Sequence, residues 1–192
     1  SRLQKLNQQM SNVLSRKIHF PKKLSLPDIP KVSQALVGVL PAKEFLILVR
    51  GESDAALSSI FYDNVRDWQG MNDVNTGMEK CLADTEARSR FVLMNNGVTV
   101  IARKVQQTGE SVVLENYQIV NGCQTSNVLW KNREQLSESV LVPIRIVETD
   151  DDQVTRDIIR ATNSQTEVSQ SQLLAITDFQ KQLEQHFASY DQ

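Results

Sequence analysis

The sequence predicts an α/β domain of the α+β kind: a small mixed sheet with one β-hairpin and flanking helices. Three observations carry that prediction. Apolar residues recur at helical spacing in some stretches and gather into short β-rich runs in others, so both element types are expected. Two of the β-rich runs, 98–105 and 111–120, are parted by a short stretch in which Gln107, Thr108 and Gly109 have the composition of a hairpin turn. The 192 residues, 40% hydrophobic and 23% charged, suffice for one core with an arm.

Leu3, Leu6, Met10 and Val13 recur at helical spacing, and Pro21, Pro27 and Pro30 then break regularity. Residues 1–30 therefore read as a helix and a basic connector, and 31–192 as the core. Residues 32–40 read as a strand, and Pro41 with Ala42, Lys43 and Glu44 as a helix start, because proline suits a first helical turn. The run 45–49 fits either state. Val74, Met78, Cys81 and Leu82 share one face of a short amphipathic helix over 73–84, which puts Cys81 in the core. The hairpin is entered through Asn95, Asn96 and Gly97 and left through Asn121 and Gly122 into a helix over 123–132. Residues 140–147 form a further strand. Thr149 to Asp152 then cap a short helix over 154–161, and the polar stretch 162–166 breaks it. A last helix starts at Ser169, with Gln172 in a capping-box position, and carries Leu173, Ile176, Leu183, Phe187 and Tyr190 along one side.

The formal net charge is -2, no apolar run approaches the ~20 residues that cross a bilayer, and the start lacks the pattern of a secretory signal. Cys81 and Cys123 are too few for a disulfide framework. A soluble, cytoplasmic protein with no membrane partner and no structural metal is expected. Arg2, Lys5, Arg16, Lys17, Lys22 and Lys23 all precede the first acidic residue, Asp28, so the N-terminal arm offers either a DNA contact or a solvated basic face.

The segment 117–130, YQIVNGCQTSNVLW, turns from an apolar strand through Asn121 and Gly122 directly into a helix. The free N–H groups of a helix start, together with its dipole, favour an anion such as phosphate. Gln124, Thr125 and Ser126 add hydrogen-bonding groups there. The same residues also suit a plain strand-to-helix turn, and the glycine pattern falls short of a phosphate-binding P-loop. Arg66 reads as a phosphate ligand or, between Asp63 and Asp67, as an ion-pair partner. His19 and His186 are isolated, and Asp150 to Asp152 read as helix-capping residues rather than a metal site. No complete catalytic set is visible.

Four motifs in order, NVRDWQG at 64–70, FVLMNNGVTVIA at 91–102, QIVNGCQT at 118–125 and IRATNSQTEVS at 159–169, resemble the AIPR family of abortive infection phage resistance proteins. The order of elements from 64 to about 175 is also similar, more distantly, to the ParB/sulfiredoxin superfamily. That second resemblance implies a nucleotide held with Mg²⁺ at the turn 121–126 and at the segment 162–166. Only Arg66, Gly122, Asn163 and Gln165 carry over; Thr125 and Ser126 stand where the ParB-like turn has arginines, Thr162 where its second motif has glutamate and Thr166 where that motif ends in arginine. Sulfiredoxins have a reactive cysteine in the like position, which makes Cys123 the one catalytic candidate. The expectation is a phage-defence core binding a phosphate-containing ligand, a nucleotide above all. Its pocket would comprise Arg66, Asn95, Asn96, Gly97, Asn121, Gly122, Gln124, Thr125, Asn163 and Gln165. The alternatives are a ParB-like nuclease or nucleotide hydrolase, and a DNA- or protein-interaction module without catalysis.

Overall fold

The computed structural model describes residues 14–51, 58–61 and 73–164. The strands are β1 (Ser15–His19), β2 (Lys22–Ser25), β3 (Gln34–Pro41), β4 (Val98–Thr108), β5 (Ser111–Asn121) and β6 (Leu141–Glu148). Among the described residues the helices are α1 (Ala42–Val49), α2 (Asp73–Ala83), α3 (Phe91–Met94), α4 (Cys123–Lys131) and α5 (Asp152–Ser164). The strands make one mixed sheet in the order β1-β5-β4-β6-β3-β2, antiparallel throughout except where β4 runs parallel to β6. A mixed α/β architecture with a central hairpin is thus what the chain adopts.

The hairpin is longer than its most apolar stretch. β4 and β5 pair from Thr99↔Asn121 to Thr108↔Ser111, so its two-residue loop is Gly109 and Glu110, with Gly109 at φ +59°. Helix α1 resolves the ambiguous run after Pro41. Phe45, Leu48 and Val49 are buried at i, i+3 and i+4, and Pro41 stands at the N-cap.

The stretch read from sequence as a connector supplies both outer strands. β1 pairs with β5 and β2 with β3, and only Phe20 and Pro21 link them. A two-residue link between the two ends of the strand order forces the sheet to curl until its edges meet. Phe20 is fully buried in that corner, its N–H donating to the Glu110 carbonyl at 2.7 Å. The Lys23 ammonium adds bonds to the carbonyls of Phe20 (3.0 Å) and Gly109 (2.8 Å). Gly38 on β3 is what lets β2 cross so closely, because a Cβ there would lie 2.0 Å from the Lys22 carbonyl oxygen.

One apolar core fills the curl and extends beneath the helices, with Ile18, Leu36, Val100, Leu114 and Ile144 from strands and Phe45, Phe91 and Leu129 from helices. Each such side chain stabilises the fold by about 1.5–3 kcal/mol on burial. Helix α5 runs beyond the expected 154–161, through Thr162 and Asn163. The Thr162 hydroxyl donates to the Ile158 carbonyl at 2.8 Å, so this polar stretch satisfies itself in helical geometry rather than breaking the helix.

Candidate functional site

Three polar segments meet at one end of the sheet. The turn 95–97 feeds β4, Asn121 and Gly122 leave β5 beside it, and the end of α5 arrives at the same place. Thr99 pairs with Asn121, and a Cβ on Gly122 would lie 2.7 Å from Val98 Cγ2. Asn121 Nδ2 donates to the Thr162 carbonyl (2.8 Å) and to Asn163 Oδ1 (3.3 Å), while Asn163 Nδ2 donates to the Val120 carbonyl at 3.2 Å. Of the expected site residues, Asn95, Asn96, Gly97, Asn121, Gly122, Gln124, Thr125 and Asn163 are brought together. Arg66 and Gln165 lie outside the described residues.

Many of these side chains are occupied by the fold. Asn95 closes its own turn, donating from Nδ2 to the Phe91 carbonyl (2.6 Å) and accepting the Gly97 N–H at Oδ1 (2.9 Å). Gly97 holds φ +78° against Pro143, whose carbonyl oxygen a Cβ would approach to 2.7 Å. Thr125 is buried with its hydroxyl 4.0 Å from Met78 Sδ, and the Ser126 hydroxyl donates to the Gly122 carbonyl at 2.8 Å. Asn96, by contrast, is exposed.

Helix α4 begins at Gly122 in the left-handed conformation, φ +102° and ψ 20°, with no side-chain cap. A helix beginning at Cys123 leaves its first-turn amides without intrahelical acceptors, and the positive end of the dipole coincides with them. Gln124 is anchored beside these amides, its Oε1 accepting from Asn75 Nδ2 at 2.9 Å. Asn75 is fully buried and was missed by sequence reasoning. Its signal was a polar residue three positions before Met78, on the apolar side of α2. Cys123 is half-buried, and Asn127 Nδ2 donates to its sulfur at 3.5 Å.

Elsewhere the titratable groups serve the fold. Burial pushes the Tyr117 hydroxyl up to about 12, and it donates to the Leu48 carbonyl at 2.7 Å. Burial likewise raises the Cys81 thiol, which donates to the Ala87 carbonyl at 3.3 Å. Asp151 caps α5 by accepting the N–H groups of Gln153 and Val154, both at 2.9 Å, and pairs with Lys31 at 2.9 Å. The Val154 N–H and the Lys31 ammonium hold its carboxyl below the usual range. From the basic arm, the Arg16 guanidinium donates to the carbonyls of Ser15 and Arg50, while Lys17 and Lys22 are exposed. Among the described residues no three His, Cys, Asp or Glu side chains gather as metal ligands, and no helix is long and apolar enough to cross a membrane.

Neither the curated proteins nor the solved structures contain a match to this chain, so the likeness to the ParB/sulfiredoxin superfamily is not shown. The family model described as AIPR protein does match, over residues 61–192. That span is more than half of the chain and takes in all four motifs, so the chain belongs to the AIPR family, whose name denotes abortive infection and phage resistance.

Proposed function

We propose that this AIPR-family chain acts in phage defence by binding a phosphate-bearing ligand, a nucleotide, at the start of α4. The observation that carries the reading is the uncapped helix N-terminus behind left-handed Gly122, at the point where three family-motif segments converge. Backbone N–H groups there favour an anion, and Gly122 supplies the left-handed turn that opens the helix without a side chain of its own. In this reading Gln124 and Asn96 supply the adaptable polar contacts, while Asn95, Asn121 and Asn163 hold the loops in place. The reading also assigns Arg66 and Gln165, which lie outside the described residues, to the ligand. Among the described residues no carboxylate cluster stands there, so Mg²⁺ would be carried by the phosphates of a triphosphate rather than by protein ligands. The donors among the described residues are neutral, and neutral donors bind and orient, which favours binding over turnover.

The test is a thermal-shift comparison of the chain with ATP, CTP, GTP and UTP, with and without Mg²⁺. A nucleotide at about a hundred times its Kd stabilises the folded state by about 2.7 kcal/mol and raises Tm. Gln124→Glu keeps an acceptor for Asn75 and places a negative charge where a helix dipole welcomes it, so the free protein stays folded while a phosphate is repelled. The nucleotide-dependent rise is expected to disappear in this variant. Silence with all four nucleotides, or a rise that survives Gln124→Glu, defeats the reading.

A further inference from the structure

A cleft of about 350 Å³ lies on the β4–β5 hairpin, lined by residues that include Ile101 and Arg103 of β4, Asn116 and Gln118 of β5, Thr155 of α5 and Ser59. Gln118 stands four positions before Gly122, about 13 Å along an extended chain, so this cleft is separate from the start of α4. The pairing of the hairpin is interrupted here. Ala102 pairs with Tyr117 and Lys104 with Glu115, while Asn116 between them turns to φ +48°. Among the described residues only Lys31 shares a positive φ without being glycine. At Lys31 the fold supplies the reason, because its carbonyl accepts the Thr149 hydroxyl at 2.7 Å and its ammonium pairs with Asp151 at 2.9 Å. At Asn116 the fold uses only the backbone, whose N–H donates to the Leu14 carbonyl at 2.8 Å. Glycine would take this conformation without strain, and the amide that an asparagine brings instead is spent on no bond of the fold.

We propose that the cleft binds an uncharged nucleobase of the adenine kind. The uncommitted polar groups carry the chemistry. Asn116 and Gln118 are exposed, both line the cleft, and their side-chain amides have no hydrogen-bond partner among the described residues. Each amide offers a donor beside an acceptor, the pattern that matches the N6 and N7 edge of adenine with two hydrogen bonds. Arg103 and Thr155 are already committed, the first 3.9 Å from the Asp152 carboxylate and the second donating its hydroxyl to the Asp151 carbonyl at 3.1 Å. With its cation engaged and no acidic side chain among the described lining residues, the cleft selects by hydrogen-bonding pattern rather than by charge. Ile101 adds an apolar surface for the face of a ring, and the volume falls within the range of small-ligand sites.

Adenosine is the probe, because it carries the base without a phosphate and so makes no demand on the start of α4. Titrated calorimetrically into the full chain, it is expected to bind at one site. Gln118→Ala and Asn116→Gly should each weaken binding by about tenfold or more, the loss of one two-bond amide contact. Asn116→Gly also reports on the strain. Glycine adopts φ +48° freely, so this variant should melt at or above the temperature of the parent while binding adenosine less well. Excess inorganic triphosphate, a probe for the start of α4 alone, should not displace the nucleoside. Absence of binding at millimolar adenosine, binding that survives both substitutions, or displacement by triphosphate each overturns the proposal. A lower melting temperature in Asn116→Gly overturns it too, because the asparagine would then serve the fold.

Discussion

At the scale of single residues, three glycines with positive φ separate two constraints. Gly97 and Gly122 are held left-handed and are also crowded, by the Pro143 carbonyl and by Val98 respectively. Gly109 is left-handed in open space. An L-residue in that conformation costs about 1–2 kcal/mol by itself. Gly109→Ala is therefore expected to lose about 1 kcal/mol. Gly97→Ala and Gly122→Ala should lose roughly 2–4 kcal/mol, because a backbone or β-branched neighbour must also move. Urea unfolding of the three variants measures this, and equal losses would refute the crowding argument. The glycines and asparagines of the site were legible as turn residues, but the use of the asparagine amides was not. Asn121 and Asn163 find acceptors at Thr162 and Val120, more than forty positions away, and local spacing carries no information about such partners.

At the scale of elements, α5 depends on a cap that titrates. Asp151 has its carboxyl pKa lowered, first by the Val154 N–H and then by Lys31, and so binds its proton less readily folded than unfolded. Its contribution is complete above the unfolded value of about 3.9 and fades as pH falls through the lower folded one. Melting temperature followed from pH 6 to pH 2 should therefore drop more steeply in the parent than in Asp151→Asn, which still caps but does not ionise. Parallel profiles would show that the carboxylate's charge is immaterial. The cap itself was readable from the acidic run before the helix, whereas the helix's true end was not. Thr162 and Asn163 look like loop residues until each is given its partner. β1 was equally hidden: within Ser15–His19 only Ile18 is buried, and pairing with β5 rather than apolar alternation makes it a strand.

At the scale of the whole molecule, the corner at Phe20 joins the two ends of the sheet, so it should govern the fold cooperatively. Phe20→Ala removes a fully buried ring and is expected to lose about 3–5 kcal/mol. Far-UV and near-UV circular dichroism should report that loss at the same midpoint. Divergent midpoints would mean that the sheet opens locally while the rest persists. The mixed sheet was predictable from its runs, but its curl was not, because the curl is set by which strands pair rather than by the character of either. That pairing also imposes a schedule. β2 meets β3 after a short interval, Leu24 opposite Val37, whereas Ile18 must await Val112. At about 5–20 residues per second on a ribosome, β1 leaves its apolar side chain unmatched for roughly 5–20 s. During synthesis, then, β1 is made well before the strand it pairs with, and the nascent chain offers a chaperone a defined interval in which to hold it.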